Sequence, residues 1–303
     1  MGGRTNLIRL LDPDAETLRR NAPRQLHGTA LERLLAPAEH DDEPRPTIEA
    51  HGDYVFAVFL IPVLVAEEDH VYYQEVDFVM TEDTILAVRK TLPGREPFEP
   101  DQATIEKARE EPAGMTAYRL VDDIAERFLD LVDALNDEID ELEDNVETWD
   151  AERVRERLSH LRHDILHIRR VLAPTRDAVR AIVDDRIELD DGKLFPRDIE
   201  ISFGAAYDKL LRAVDGLELS RDLVAGVRDY HQSKIANDQN EVMKKLTAIA
   251  SILLVPTFIV GLYGQNFHHI PELGWSFGYW WSWGWILGAT VLQVVYFRRK
   301  RWI

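Results

Sequence analysis

The last fifth of the chain holds two stretches that can cross a bilayer. Residues from Leu246 to Phe267 carry no formal charge, and neither do those from Leu273 to Phe297, whereas the chain before Leu246 is rich in charge. A helix that crosses a ~30 Å hydrocarbon core needs about 20 such residues. Two spans are expected, joined by the turn Tyr263-Gly264-Gln265-Asn266-Phe267 and a loop over about 266–278 that is too short to be a domain.

The flanks predict the orientation. Lys244 and Lys245 precede the first span, and Arg298, Arg299, Lys300 and Arg301 follow the second, while Asn266 to Tyr279 contains no Lys or Arg. Basic residues stay on the cytoplasmic side, so both termini are expected inside. Trp275, Phe277, Tyr279, Trp280, Trp281, Trp283 and Trp285 gather at the outer start of span two, and Tyr296, Phe297 and Trp302 at its inner end. Both groups read as interfacial aromatic belts.

Charge divides the chain in the same place. The 303 residues have a net charge of −19, and the part from Glu241 onward sums to +4, leaving −23 for the rest. So acidic a part repels nucleic acid and gathers cations, although solubility alone also accounts for it. With no cysteine, disulfides and thiolate metal sites are excluded. Residues 1–20 lack the apolar core of a secretory signal, and Asn6 stands where a myristoylation site wants Ser or Thr.

Residues 1–112 read as a small α/β domain. Tyr54 to Leu60, Glu75 to Met80 and Thr84 to Arg89 are expected strands, with Asp83 at a turn, and prolines 37, 44 and 46 and then Pro93-Gly94, Pro97 and Pro100 mark loops. Residues 113–242 read as long helices. Leu120, Ile124, Phe128, Leu131, Leu135, Ile139, Leu142 and Val146 make one apolar stripe among Asp and Glu. A second helix is expected from Ala151 to Ile187, with a possible kink at Pro174. A third starts near Ile199 and meets no proline before Pro256, so it is expected to run on into span one, about 90 Å for ~60 residues. The fold class is therefore α+β: an α/β domain, a helical stalk and a two-helix membrane region over 243–303.

One stripe of that third helix is unusual. Asn240, Met243, Thr247, Ala250, Leu254, Thr257 and Gly261 follow one another at threes and fours and mix polar, small and apolar types. Lipid would favour uniform bulk. Two readings stay open: a close helix-packing seam, or the wall of a pore made by several copies.

The blocks Asn240-Glu241-Val242-Met243-Lys244-Lys245-Leu246-Thr247, a mid-span proline, Tyr263-Gly264-Gln265-Asn266-Phe267, Pro271-Glu272-Leu273 and the final basic cluster before Trp302 resemble the CorA family of divalent-cation transport proteins. The resemblance implies a funnel-shaped homopentamer in the plasma (inner) membrane, its first spans lining the pore and its second spans facing lipid. It implies uptake of Mg²⁺, with Co²⁺ or Ni²⁺ as secondary substrates, down the electrochemical gradient, and closure by cytosolic divalent ions. No other cofactor is implied. It assigns an outer ring of hydrated-ion contacts to Asn266 within the signature Tyr263, Gly264, Gln265 and Asn266. Asn240 and Thr257 become polar rings, and Met243, Leu246 and Leu254 a hydrophobic constriction. Glu272 would attract cations to the outer loop, and Gly264 would let the backbone turn. The signature departs from the family's usual middle Met at Gln265, and Pro256 stands one place later than the common spacing. A regulatory metal site is expected from Glu67, Glu68 and Asp69 against Asp208, with Ala205 where an acid is usual; solvated surface acids are the plainer alternative.

Histidines offer two further candidates. His160, His163 and His167 share a helical face near Asp164, where they could bind Zn²⁺ or simply be solvated beside Arg157, Arg162 and Arg169. His268 and His269 could favour a softer ion at the entrance. No phosphate-binding loop and no nucleophile–base set stands out, so an enzyme is not expected. The alternatives are a zinc transporter of the same fold, resembling ZntB, and a membrane-anchored coiled-coil scaffold without conduction.

Overall fold

Strands covered on both faces read as unbroken apolar runs, and the strand Val55–Val65 here does, whereas its neighbour His70–Met80 is broken by Gln74, Glu75 and Asp77. The computed structural model describes residues 5–38, 43–65, 70–95, 97, 106, 110–190, 193–266 and 268–303. They fall into two units, Met1–Val227 and Arg228–Ile303. The first unit holds β1 (Asn6–Leu11), α1 (Ala15–Asn21), α2 (Gly28–Leu35), β2 (Thr47–Ala50), β3 (Val55–Val65), β4 (His70–Met80) and β5 (Thr84–Arg89). The sheet order is β1-β5-β4-β3-β2. β3 and β4 form a long antiparallel pair from Val55↔Met80 to Val65↔His70. β1 lies parallel to β5 from Asn6↔Thr84 to Leu11↔Arg89.

Phe56, Val58, Val79, Leu86 and Val88 pack under Leu18 of α1 and Ala30 and Leu34 of α2. The other face puts Val55, Ala57, Phe59, Phe78 and Ile85 against three long helices: α3 (Ala113–Asn145), α4 (Ala151–Val183) and the first part of α5 (Arg197–Tyr263). α3 buries Ile124, Phe128, Leu131, Leu135, Ile139 and Leu142 along the expected stripe. α5 supplies Ile199, Phe203, Ala206, Leu210, Ala213 and Leu217 at the same three–four spacing. Full burial of each large side chain contributes about 1.5–3 kcal/mol.

Local chemistry sets the helix ends. The Asp150 carboxylate accepts the Arg153 N–H at 2.9 Å at the start of α4, and the Arg153 guanidinium lies 3.8 Å over the Trp149 ring. α4 ends at Val183, short of the expected Ile187, where Asp185 turns the chain at φ 54°. The Arg186 and Asp185 N–H groups then donate to the Ala181 and Ile182 carbonyls, a left-handed cap. Pro174 does not end the helix; the next hydroxyl, of Thr175, donates to the Val171 carbonyl at 2.8 Å.

In the second unit, the remainder of α5 is followed by a 3₁₀ turn (Pro271–Gly274) and α6 (Gly278–Arg299). The expected second span from Leu273 thus becomes helical only at Gly278. At the other end of α6, Trp302 N–H donates to the Phe297 carbonyl and Arg301 N–H to that of Arg298, with Arg301 at φ 56° and the Trp302 ring stacked on Phe297. This cap presents four cations at a helix C-terminus, where the dipole favours them.

Charge is also buried beneath α2. Lys90 Nζ donates to the Arg33 carbonyl at 2.7 Å and pairs with Glu75. It also lies 3.0 Å from Asp77 Oδ2, although neither Asp77 oxygen gains a well-directed hydrogen bond. Burial first, and then the Glu75 charge, push the Asp77 carboxyl from 3.8 up to about 8. Folded Asp77 therefore keeps a proton that the unfolded chain releases above about pH 4. The Asp77 contribution to stability is present below about pH 4 and is lost as pH rises toward about 8. Asp77→Asn is expected to flatten that decline and to raise the melting temperature at pH 8 by about 2–4 °C, the size of ~1 kcal/mol in a unit this long, as read by thermal melts from pH 5 to pH 8.

Candidate functional site

α5 is, among the described helices, the one long and apolar enough to cross a membrane. Its second half has two distinct faces. Ala248, Ser251, Ile252, Val255, Pro256, Ile259 and Tyr263 are buried or half-buried. At 100° per residue the stripe Asn240, Met243, Thr247, Ala250, Leu254, Thr257 and Gly261 stands roughly opposite, and every one of these residues is exposed, Leu254 by 68 % and Met243 by 58 %. Leu246 is exposed as well. The described part of the chain leaves this seam uncovered, so it is not an intrachain packing surface.

Thr257 shows what a hydroxyl does on that face. Its Oγ1 donates to the Leu253 carbonyl at 2.7 Å. With the proton engaged on its own helix, the oxygen's lone pairs remain to accept hydrogen bonds. An acceptor suits the water shell of a cation, because those waters point their hydrogens outward.

The turn after α5 begins at Gly264, whose N–H donates to the Val260 carbonyl at 2.9 Å. The reason for glycine differs from the expectation. Gly264 is not among the residues with positive φ. A Cβ there would instead stand 3.1 Å from the Val260 oxygen, tighter than nearly all real contacts. Gln265 N–H donates more loosely to the Leu262 carbonyl at 3.4 Å. Gln265, Asn266, His268 and His269 are exposed, and Phe267 lies outside the described residues. Glu272 is half-buried in the 3₁₀ turn, its carbonyl accepting the Trp275 N–H at 3.2 Å. α6 opens with Gly-Tyr-Trp-Trp-Ser-Trp-Gly-Trp, ring-rich positions whose polar N–H and O–H groups make this half less apolar than Ile286 to Phe297.

The regulatory candidates divide. Glu67, Glu68 and Asp69 lie outside the described residues. Asp208 and Ala205 are exposed on α5. A polar link that periodicity missed stands next to Asp208: Lys209 bridges Asp122 and Glu126 of α3 at 2.9 and 2.8 Å. His167 departs from the solvated face expected for its trio. Its Nε2 lies 2.8 Å from the Glu43 carboxylate and its ring packs edge-on to Tyr73 at 4.9 Å. Burial, then the charges of Glu43 and Asp164, raise the Tyr73 phenol well above its usual range. Among the described residues no three His, Asp or Glu side chains are placed to hold a metal ion.

Comparison with known proteins identifies the family to which a chain with this stripe and turn belongs. The family described as CorA-like Mg2+ transporter protein matches residues 13–299. The chain belongs to this family. The cobalt/magnesium transport protein CorA of Thermotoga maritima is 29 % identical over 92 % of this chain and 77 % of its own length. In fold, the CorA-family chain resembles the complete CorA magnesium transporter of Methanocaldococcus jannaschii, with a TM-score of 0.76 at 21 % identity over 98 % of this chain and 91 % of the other. Full-length CmaX gives 0.69, also at 21 % identity, over 98 % and 88 %. These two likenesses establish the α/β unit with long helices as a CorA fold.

The loop geometry carries a direct test. A Cβ on Gly278 would stand 2.2 Å from the Glu272 carbonyl, whereas Gly288 has open space around it. Gly278→Ala is expected to lower the melting temperature of the detergent-solubilised protein by several degrees, and Gly288→Ala to leave it within about a degree.

Proposed function

We propose that this CorA-family chain carries Mg²⁺ across the plasma membrane as a homo-oligomer, by resemblance a pentamer, with Co²⁺ or Ni²⁺ as secondary cargo. Residues 1–112 and 113–242 form the cytoplasmic α/β and stalk regions, and 243–303 the two-span pore region with both termini inside. The observation that carries the reading is the uncovered polar stripe of α5, running from Asn240 to Gly261 and leading into Gly264-Gln265-Asn266. A scaffold has no need of aligned Asn and Thr on a face its own chain leaves bare.

Mg²⁺ gives up water reluctantly. Rings of Asn266, Thr257 and Asn240 oxygens can accept hydrogen bonds from its hydration shell without stripping it, whereas a carboxylate ring would hold a dication too firmly to release it. Met243, Leu246 and Leu254 form apolar collars that close by dewetting. The membrane potential supplies the drive: about 2.3 kcal/mol per charge per 100 mV, so about 4.6 for a dication, enough for roughly thousand-fold accumulation. Glu272 draws cations toward the mouth. Cytosolic divalent ions bridge Glu67, Glu68 and Asp69 to Asp208 and close the pore.

Uptake into liposomes carrying the purified protein tests this. Mg²⁺ entry is expected, and Asn266→Ala is expected to reduce it by at least tenfold. Entry of Zn²⁺ alone would keep the architecture and move the substrate to zinc, as Gln265 in the signature allows. Entry of neither ion into liposomes with folded oligomer would leave the scaffold. In the same assay, neutralising Asp208 together with Glu67 and Glu68 is expected to raise the internal Mg²⁺ needed for half-inhibition several-fold; an unchanged value removes these acids from gating.

A further inference from the structure

Within the second unit a polar contact joins the two long helices where hydrocarbon is expected. Gln293, in the C-terminal half of α6, donates from Nε2 to the Ser251 carbonyl of α5 at 3.1 Å, across 42 residues of sequence. Its own Oε1 is buried and accepts nothing among the described residues. A buried amide oxygen without a donor is costly, so burying this side chain for packing alone is a poor bargain beside Leu292 or Val294. Interhelical hydrogen bonds of this kind hold helices together in a membrane.

Its position gives the contact a use. Pro256 has no N–H, so the carbonyl of Ile252, four residues earlier, loses its usual helical donor. Ser251 is the residue immediately before that carbonyl. One position after the proline, the Thr257 hydroxyl reinforces the Leu253 carbonyl at 2.7 Å. The helix is weakest over 252–256, and Gln293 holds it on the turn just before the weak point, at Ser251, from which the exposed stripe residue Leu254 lies three residues on and about 60° round the helix.

We propose that Gln293 is a positioning residue: it clamps α6 to α5 beside the Pro256 break and so sets how readily the stripe Ala250, Leu254 and Thr257 moves. The proposal rests on the transport reading for its consequence, not for the clamp itself. Loss of the clamp loosens the break, so closing signals from the cytoplasmic side reach Leu254 less faithfully. Pro256→Ala restores a donor to Ile252 and stiffens the helix, which makes the clamp redundant.

The test uses the full chain in lipid, as Gln293→Leu, Gln293→Met, Pro256→Ala and the double variant Gln293→Leu/Pro256→Ala. Amide hydrogen exchange over 253–260 needs no transport. Gln293→Leu and Gln293→Met are expected to speed it about fivefold, and Gln293→Leu by less than twofold when Pro256→Ala is present. In Mg²⁺ uptake, Gln293→Leu is expected to raise the internal Mg²⁺ for half-inhibition about fivefold, again with little effect in the Pro256→Ala background. Unchanged exchange, or the same acceleration with and without Pro256→Ala, overturns the clamp. Faster exchange with wild-type inhibition overturns its role in positioning the stripe. A wild-type protein that moves no Mg²⁺ overturns the transport reading, and exchange alone then decides the clamp.

Discussion

A backbone amide in hydrocarbon finds no water, so every N–H and C=O there must be satisfied by the protein itself. That constraint governs the last fifth of this chain. It makes helix the available form for the chargeless stretch from Leu246 onward. It also makes each interruption informative. Pro256 removes one donor, and around it the structure spends the Thr257 hydroxyl and the Gln293 amide on carbonyls of neighbouring residues. At Gly264 a Cβ would crowd the Val260 oxygen at 3.1 Å, so the ending helix would have to give by a few tenths of an ångström. Both polar contacts fall on carbonyls next to the one that Pro256 deprives, that of Ile252, and brace the helix beside the break.

The first unit solves a different problem. There the organising force is apolar burial. The sheet is covered on both faces, by α1 and α2 on one side and by the long helices on the other. The exception is the Lys90, Glu75 and Asp77 group, in which two carboxyls compete for one ammonium in a place without solvent. A buried ionic group of this kind adds little to stability. Its raised Asp77 carboxyl makes the fold's stability respond to pH across the physiological range.

How much was legible follows from how far apart the interacting residues are. The strand Thr84–Arg89 and the first part of Val55–Val65 announced themselves because both their faces are apolar, although the strand expected to end at Leu60 runs on through Pro62 to Val65. β1 and β2 did not: Asn6–Leu11 carries Arg9 in its middle, Thr47–Ala50 is four residues long, and β1 pairs with a strand near residue 84. The α3 stripe was readable to its last residue because helical spacing is a local property. His167 looked like a solvated face because its partner, Glu43, comes from a loop 124 residues earlier.

By itself the sequence determined the two chargeless segments, the basic residues that flank them, the stripe from Asn240 to Gly261 and the turn at Gly264-Gln265-Asn266. Each of these is a matter of composition or spacing within one stretch of chain, and hydrophobic transfer and helical period act on such stretches directly. Only the tertiary structure decided that this stripe is the bare face of α5, that the Thr257 proton is spent on Leu253, that Gln293 reaches Ser251 and that Lys90 lies between two buried acids. Those facts depend on which surfaces meet, and the energies that select them come from contacts between residues tens of positions apart, which no local pattern records.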